Sequence, residues 1–188
     1  MSKNRIIINE LKTFNKVNSA ILNLFLVIFG TLILTISAKI QVPFWPVPMT
    51  MQTFVVFLIA MTYSVRLSFF TLILYLFEGA IGLPVFATGG GIAYLVGPTA
   101  GYLYGMTVSV IVISYLANLG YSKTYFGAAL SLLLGSVIIF SFGLIYLGSI
   151  IGYEKSIQAG LLPFVPSELF KIALAVALIP TLNKFIKN

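Results

Sequence analysis

An all-α integral membrane bundle of six helices is the fold class this sequence predicts, and three observations predict it. Of the 188 residues 60% are apolar and only 8% charged, against roughly a quarter charged in a soluble domain, and the mean hydropathy is +1.08. Long apolar runs alternate with segments rich in Pro, Gly and aromatic residues. Lys and Arg fall unevenly between the two sets of connections that such runs would have.

The elements follow in order. Residues 1–19 form a basic segment with Lys3, Arg5, Lys12 and Lys16. The run "AILNLFLVIFGTLILTISA" (20–38) is long enough to cross a hydrocarbon layer of roughly 30 Å as a helix. A secretory signal shares the basic start, but its apolar core is usually about 7–15 residues long, and "TISAKIQVP" is a poor cleavage site. This run is therefore the first helix, and residues 20–188 form a single membrane domain. "KIQVPFWPVPMT" (39–50) carries three prolines, which remove N–H donors and exclude a regular helix. Helices are expected at about 50–63, 67–82, 99–119, 126–148 and 167–185. Between them lie a tight turn at 64–66, the irregular "LPVFATGGGIAYLVGP" (83–98), the link "GYSKTY", and the irregular "SIIGYEKSIQAGLLPFVP" (149–166).

Charge then orients the bundle. With the N-terminus cytoplasmic, the inner side holds Lys3, Arg5, Lys12, Lys16, Arg66, Lys123, Lys184 and Lys187, and the outer side only Lys39 and Lys155. Cytoplasmic segments are the ones enriched in Lys and Arg, so both termini are expected inside. The inner connections are then short and the three outer ones long. Irregular backbone near membrane depth persists where it is buried in protein or lines a cavity, so the outer segments read as the walls and lid of an outward-facing pocket.

Composition excludes much chemistry. There is no Cys, His or Asp, and Glu10, Glu78, Glu154 and Glu168 are the only acids. Thiolate or imidazole metal sites, aspartyl proteases and Ser–His or Cys–His catalytic pairs are excluded, and neither an enzyme nor a metal or cofactor is expected. The net charge of +7 is explained by the membrane distribution and implies no nucleic acid partner.

The candidate site starts from Glu168 and Lys171, at the outer mouth of the last helix. They read as ligand contacts, because a charge about a turn inside a membrane helix costs of order 2–3 kcal/mol unless paired or interfacial. The alternative is structural: Ser167 caps the helix, Glu168 favours its positive end, and Lys171 snorkels outward or pairs at i,i+3. Gly89, Gly90 and Gly91 read either as a close backbone approach to a ligand or as a plain flexible loop, since no P-loop ending follows them. Gln52 bonds a ligand or a neighbouring helix. Trp45, Phe86 and Tyr94 stand at the same outer level, as pocket walls or as interfacial anchors. Glu78 is an intramembrane acid, either functional or reaching the outer interface.

Four fragments, "VPFWPVPMTMQT", "GAIGLPVFATGGG", "GPTAGYLYG" and "PFVPSELFK", occur in the order and spacing of the BioY family, and the chain resembles that family over roughly residues 20–185. The resemblance implies the biotin-binding S component of an energy-coupling factor (ECF) transporter, a six-helix bundle with cytoplasmic termini in the cell membrane. It implies capture of biotin from the outer side, with biotin as transported ligand and no cofactor. It also implies partners in a transmembrane coupling subunit and a pair of ATPases. Carried over, the acid and base map to Glu168 and Lys171 and the glycine element to Gly89–Gly91. The acid is often Asp in the family pattern, so Glu168 is one methylene longer, and the glycine element here carries no polar side chain. The small-x-x-x-small pattern of helix 1 is broken, with Ala20 followed by Leu24 and Gly30 by Leu34. In the implied pocket Glu168 and glycine N–H groups meet the ureido ring. Trp45, Phe86 or Tyr94 cover the apolar parts, and Lys171 meets the valerate carboxylate. Two other functions share many of these features: an S component for a different vitamin, and a small ion-coupled secondary transporter, which the lack of a repeat and of intramembrane charge disfavours.

Overall fold

The computed structural model describes residues 19–185. The basic N-terminal segment up to residue 18, and residues 186–188 with Lys187, lie outside the described residues. Helices stand at each of the expected places: α1 (Ser19–Lys39), α2 (Gln52–Thr62), α3 (Val65–Ala80), α5 (Ala100–Asn118), α6 (Tyr125–Ile151) and α8 (Phe164–Phe185). Two shorter ones, α4 (Ile92–Leu95) and α7 (Tyr153–Gly160), lie in segments expected to be irregular. The count among the described residues is thus eight helices, not six.

Four of them, α1, α5, α6 and α8, are long and apolar enough to cross a membrane. By contrast α2, with 11 residues, is about 16 Å long at 1.5 Å per residue and does not reach across the hydrocarbon layer by itself. It survives because it is wrapped by protein: eight of its residues, Gln52 and Thr53 among them, are buried. The most extensive helix pairing is α5 with α6, and small residues permit it. A Cβ on Gly105 would come within 2.9 Å of the Ile139 backbone, and one on Gly143 within 2.3 Å of the Tyr102 ring.

The proline-rich connection is a hairpin of β1 (Gln41–Val42) and β2 (Met49–Thr50), with Gln41 opposite Thr50 and Val42 opposite Met49. Its loop tip carries Trp45, 81% exposed. The 83–98 connection packs beneath this hairpin. Lys39 Nζ donates to Phe86 O at 2.5 Å and Gln41 Nε2 to Ala87 O at 3.2 Å, fastening it to the end of α1. Phe86 inserts into the core, which requires glycine at 79: a Cβ there would lie 2.0 Å from the ring. At the opposite end of the bundle, Ser114 Oγ donates to Ser68 Oγ at 2.9 Å and Tyr63 to Leu26 O at 3.0 Å.

Candidate ligand-binding site

The start of α8 decides the position of the charged pair. The helix begins at Phe164, where the chain turns through Phe164 N–H to Leu161 O at 2.9 Å, three residues earlier than expected. Pro166 sits in the first turn, where a missing N–H costs nothing. Ser167 is therefore inside the helix and does not cap it, and Glu168 and Lys171 are carried into the bundle interior, each only 4% exposed. Lys171 does not snorkel to the interface.

Two buried charges at this depth are costly unless their hydrogen-bonding capacity is met. Lys171 Nζ lies 3.1 Å from Glu168 Oε2. Thr53 Oγ1 donates to that same oxygen at 2.8 Å and accepts from Lys171 Nζ at 3.0 Å. Ser136 Oγ donates to Glu168 Oε1 at 3.1 Å. Helices α2, α6 and α8 are thereby tied at one point. Both carboxylate oxygens are engaged, while an ammonium has three donors and only two of Lys171's have acceptors among the described residues.

Lys171, Glu168, Thr53 and Gln52 line a cavity of about 50 Å³, closed by Phe86, Tyr94, Tyr102, Met106, Phe140 and Phe164. Gln52 Nε2 donates to Tyr75 OH at 2.9 Å, which donates to Val85 O at 2.8 Å; the amide thus holds α3 and the 83–98 segment in place. Phe86 stacks on Tyr94 with ring centroids 4.8 Å apart and meets Tyr75 edge-on at 5.4 Å. On the other wall Tyr102 stacks on Phe164 at 6.5 Å, and its hydroxyl donates to Gly160 O at 2.9 Å, linking α5 to the end of α7.

Outside this cavity lies an open vestibule of about 530 Å³, lined by Gln41, Trp45, Gly89, Gly90, Tyr94 and Thr99 among others. Pro48, Tyr94 and Thr99 line both spaces, so the two are adjacent and share a wall. The structure thus brings Glu168, Lys171, Gln52, Phe86 and Tyr94 together in the inner cavity, and Trp45, Gly89, Gly90 and Tyr94 around the vestibule. Gly91 lines neither. Its φ of +101° suits glycine, and its N–H donates to Gly79 O at 2.7 Å. Gly89 N–H is likewise spent on Phe86 O at 3.4 Å. The close approach that requires Gly90 is to the chain itself, since a Cβ would lie 2.1 Å from Leu83 O. Glu78 lines neither space and accepts from Thr31 Oγ1 at 3.0 Å, joining α3 to α1.

Sequence reasoning missed Ser136, Phe140 and Phe164; Thr53 and Tyr102 stand in the fragments "VPFWPVPMTMQT" and "GPTAGYLYG" at the outer level, but were not assigned to the site. Ser136 carried little signal. A serine in an apolar helix commonly bonds back to its own helix, as Ser131 Oγ does to Gly127 O at 2.9 Å. Only the packing of α6 on α8 distinguishes the two.

Comparison with known proteins identifies the family and the fold. The model of the BioY family matches residues 10–188. The chain belongs to the BioY family. Among similar BioY proteins, the probable biotin transporter BioY of Rickettsia prowazekii (strain Madrid E) is 33% identical over 96% of this chain and 91% of its own. Biotin transporter BioY2 of Lactococcus lactis subsp. cremoris (strain MG1363) is 34% identical over 91% and 99%. The biotin transporter BioY of Thermotoga maritima (strain ATCC 43589 / DSM 3109 / JCM 10099 / NBRC 100826 / MSB8) is 36% identical over 82% and 91%. A crystal structure of the S component for biotin from an ECF-type ABC transporter superposes with a TM-score of 0.78 at 26% identity, covering 90% of this chain and 95% of that one.

Proposed function

We propose that this BioY chain is the biotin-binding S component of an ECF-type ABC transporter, capturing biotin at the outer face of the cell membrane. The observation that carries the reading is Lys171: a cation 4% exposed, fixed by Glu168 and Thr53, with a donor to spare at the wall of a cavity adjacent to an open vestibule. Such an ammonium suits the valerate carboxylate, and the Phe86–Tyr94 and Tyr102–Phe164 walls suit the bicyclic ring and alkyl chain. The glycine N–H groups at 89 and 91 are engaged internally, so the ureido ring draws its partners from other cavity groups.

The inner cavity of about 50 Å³ is far below the roughly 300 Å³ of a small-molecule pocket. Binding therefore widens it into the vestibule, with Tyr94, shared by both, giving way. Transport then needs partners, a transmembrane coupling subunit and ATPases. In this reading six helices cross the bilayer, with α2 and α3 completed by their flanking segments, and both termini are cytoplasmic. Supporting this, Arg66 in the first turn of α3 and Lys123 between α5 and α6 stand at the ends where the connections are short.

A panel of biotin, thiamine and riboflavin titrated calorimetrically into purified protein tests the ligand; heat from either of the latter without biotin would overturn it. Lys171→Met should weaken biotin by roughly ten- to a hundredfold, the loss of a charge-assisted contact of about 1.5–3 kcal/mol, and a neutral biotin amide far less. Equal losses would sink the carboxylate assignment. For topology, cysteines at the exposed Val42 and Lys155 should react with an impermeant thiol reagent in intact cells and those at Arg66 and Lys123 should not. The native chain has no cysteine, so opposite labelling would refute the orientation outright.

A further inference from the structure

At the end of the bundle away from the ligand cavity, the first turns of α1 and the length of α3 enclose a separate open groove of about 790 Å³, walled by Leu24, Val27, Phe70, Leu74 and Phe77, with Arg66 at one end. Leu24, Phe70 and Phe77 are each more than half exposed. The helices converge at Gly30, where a Cβ would come within 2.6 Å of the Thr71 methyl. Among the described residues Arg66 is exposed and has no ion pair or hydrogen bond, and no carboxylate lines the groove. The nearest acid in sequence, Glu78, stands past the far end and is bonded by Thr31.

This combination is specific. A guanidinium presents a planar fork of donors that matches phosphate oxygens. From Arg66 to Phe77 the α3 wall runs about 16 Å at 1.5 Å per residue, the reach of much of one acyl chain, and that wall is apolar throughout. We infer that this groove holds one anionic phospholipid, its phosphate on Arg66 and one acyl chain laid along α3 as far as Phe77. In the sequence before Ser19, Lys3, Arg5, Lys12 and Lys16 outnumber Glu10, a charge balance that does not complement Arg66. A helix of another protein would have to bring a carboxylate to the mouth.

Native mass spectrometry of the detergent-purified full chain, titrated with phosphatidylglycerol or with phosphatidylcholine of identical acyl chains, tests this. The native protein should prefer phosphatidylglycerol about fivefold, the contribution of one basic residue at an anionic surface. Arg66→Gln should abolish the preference, and Leu74→Trp, which fills the groove, should weaken retention of both lipids. Lys155→Gln, at the other end of the bundle, should change neither, and a monodisperse elution profile identifies folded variants. Equal retention of the two lipids by the native chain would show that Arg66 does not select an anionic headgroup and overturn the inference. A preference surviving Arg66→Gln but lost when Lys3, Arg5, Lys12 and Lys16 are all Gln would do the same, by moving the lipid to the N-terminal segment. Unaltered retention in Leu74→Trp would remove the acyl chain from the groove.

Discussion

Thr53→Val removes one oxygen from the centre of the charged cluster and keeps the side chain's shape. In the native protein that oxygen donates to Glu168 Oε2 at 2.8 Å and accepts from Lys171 Nζ at 3.0 Å, at a site where Thr53 is 7% exposed. A hydrogen bond to a charged group contributes about 1.5–3 kcal/mol. Two such bonds share one hydroxyl and the direct Lys171–Glu168 contact at 3.1 Å survives, so the combined loss should be about 2–4 kcal/mol. That is less than the roughly 3–5 kcal/mol expected for Lys171→Met, which leaves a buried carboxylate without its counter-ion. The assay is thermal unfolding in detergent, with and without biotin, alongside calorimetric titration of biotin and its neutral amide. Thr53→Val should lower stability and weaken biotin, because an ammonium free to rotate no longer presents its spare donor to the cavity. A double-mutant cycle with Glu168→Gln sharpens the test, since the hydroxyl then faces no charged acceptor. The coupling should be about 1–2 kcal/mol. Strict additivity, or a Thr53→Val protein with native stability and affinity, would refute the idea that the hydroxyl organises the pair.

Other expectations follow from the two aromatic walls. Gly79→Ala places a methyl 2.0 Å from the Phe86 ring, which is held between Tyr75 and Tyr94 and has no room to retreat. Overpacking of this kind costs about 1–3 kcal/mol, and calorimetry should show biotin affinity falling with stability; unchanged affinity would detach Phe86 from the site. Tyr102→Phe loses only the bond to Gly160 O, about 1 kcal/mol, and leaves the stacking on Phe164 intact. Tyr102→Ala should cost about 3–5 kcal/mol and most of the binding, so equal effects of the two in thermal unfolding and titration would deny the ring its role as a cavity wall.

Much of this protein was legible as sequence because its strongest signals are local. Apolar runs must be helices in a medium without water, since their backbone groups have no other partners. The positions of α1, α3, α5 and α6 could accordingly be read to within a few residues. Glu168 and Lys171 stood out for a related reason: a charge in such a run is too costly to be incidental. The short helices were hidden for different reasons: α4, "IAYL", is a single turn flanked by Gly91 and Gly97, and α7 is polar, with Glu154 and Lys155 within "YEKSIQAG".

What tertiary structure alone decided is how the charged pair is held and what it faces. The three-residue shift in the start of α8 moved Ser167 off the cap and buried Lys171, because the turn at Leu161 captures the Phe164 and Val165 N–H groups. The glycine run turned out to serve the fold, with Gly90 against Leu83 O and Gly91 bonded to Gly79, since freedom of φ shows in sequence but its beneficiary does not. Thr53 and Ser136 lie 115 and 32 residues from Glu168 along the chain. A hydroxyl's partner depends on which helix faces it, so composition and periodicity determined a membrane bundle with a charged mouth, and only the packing of α2, α6 and α8 brought the charged pair and its two hydroxyls to one point.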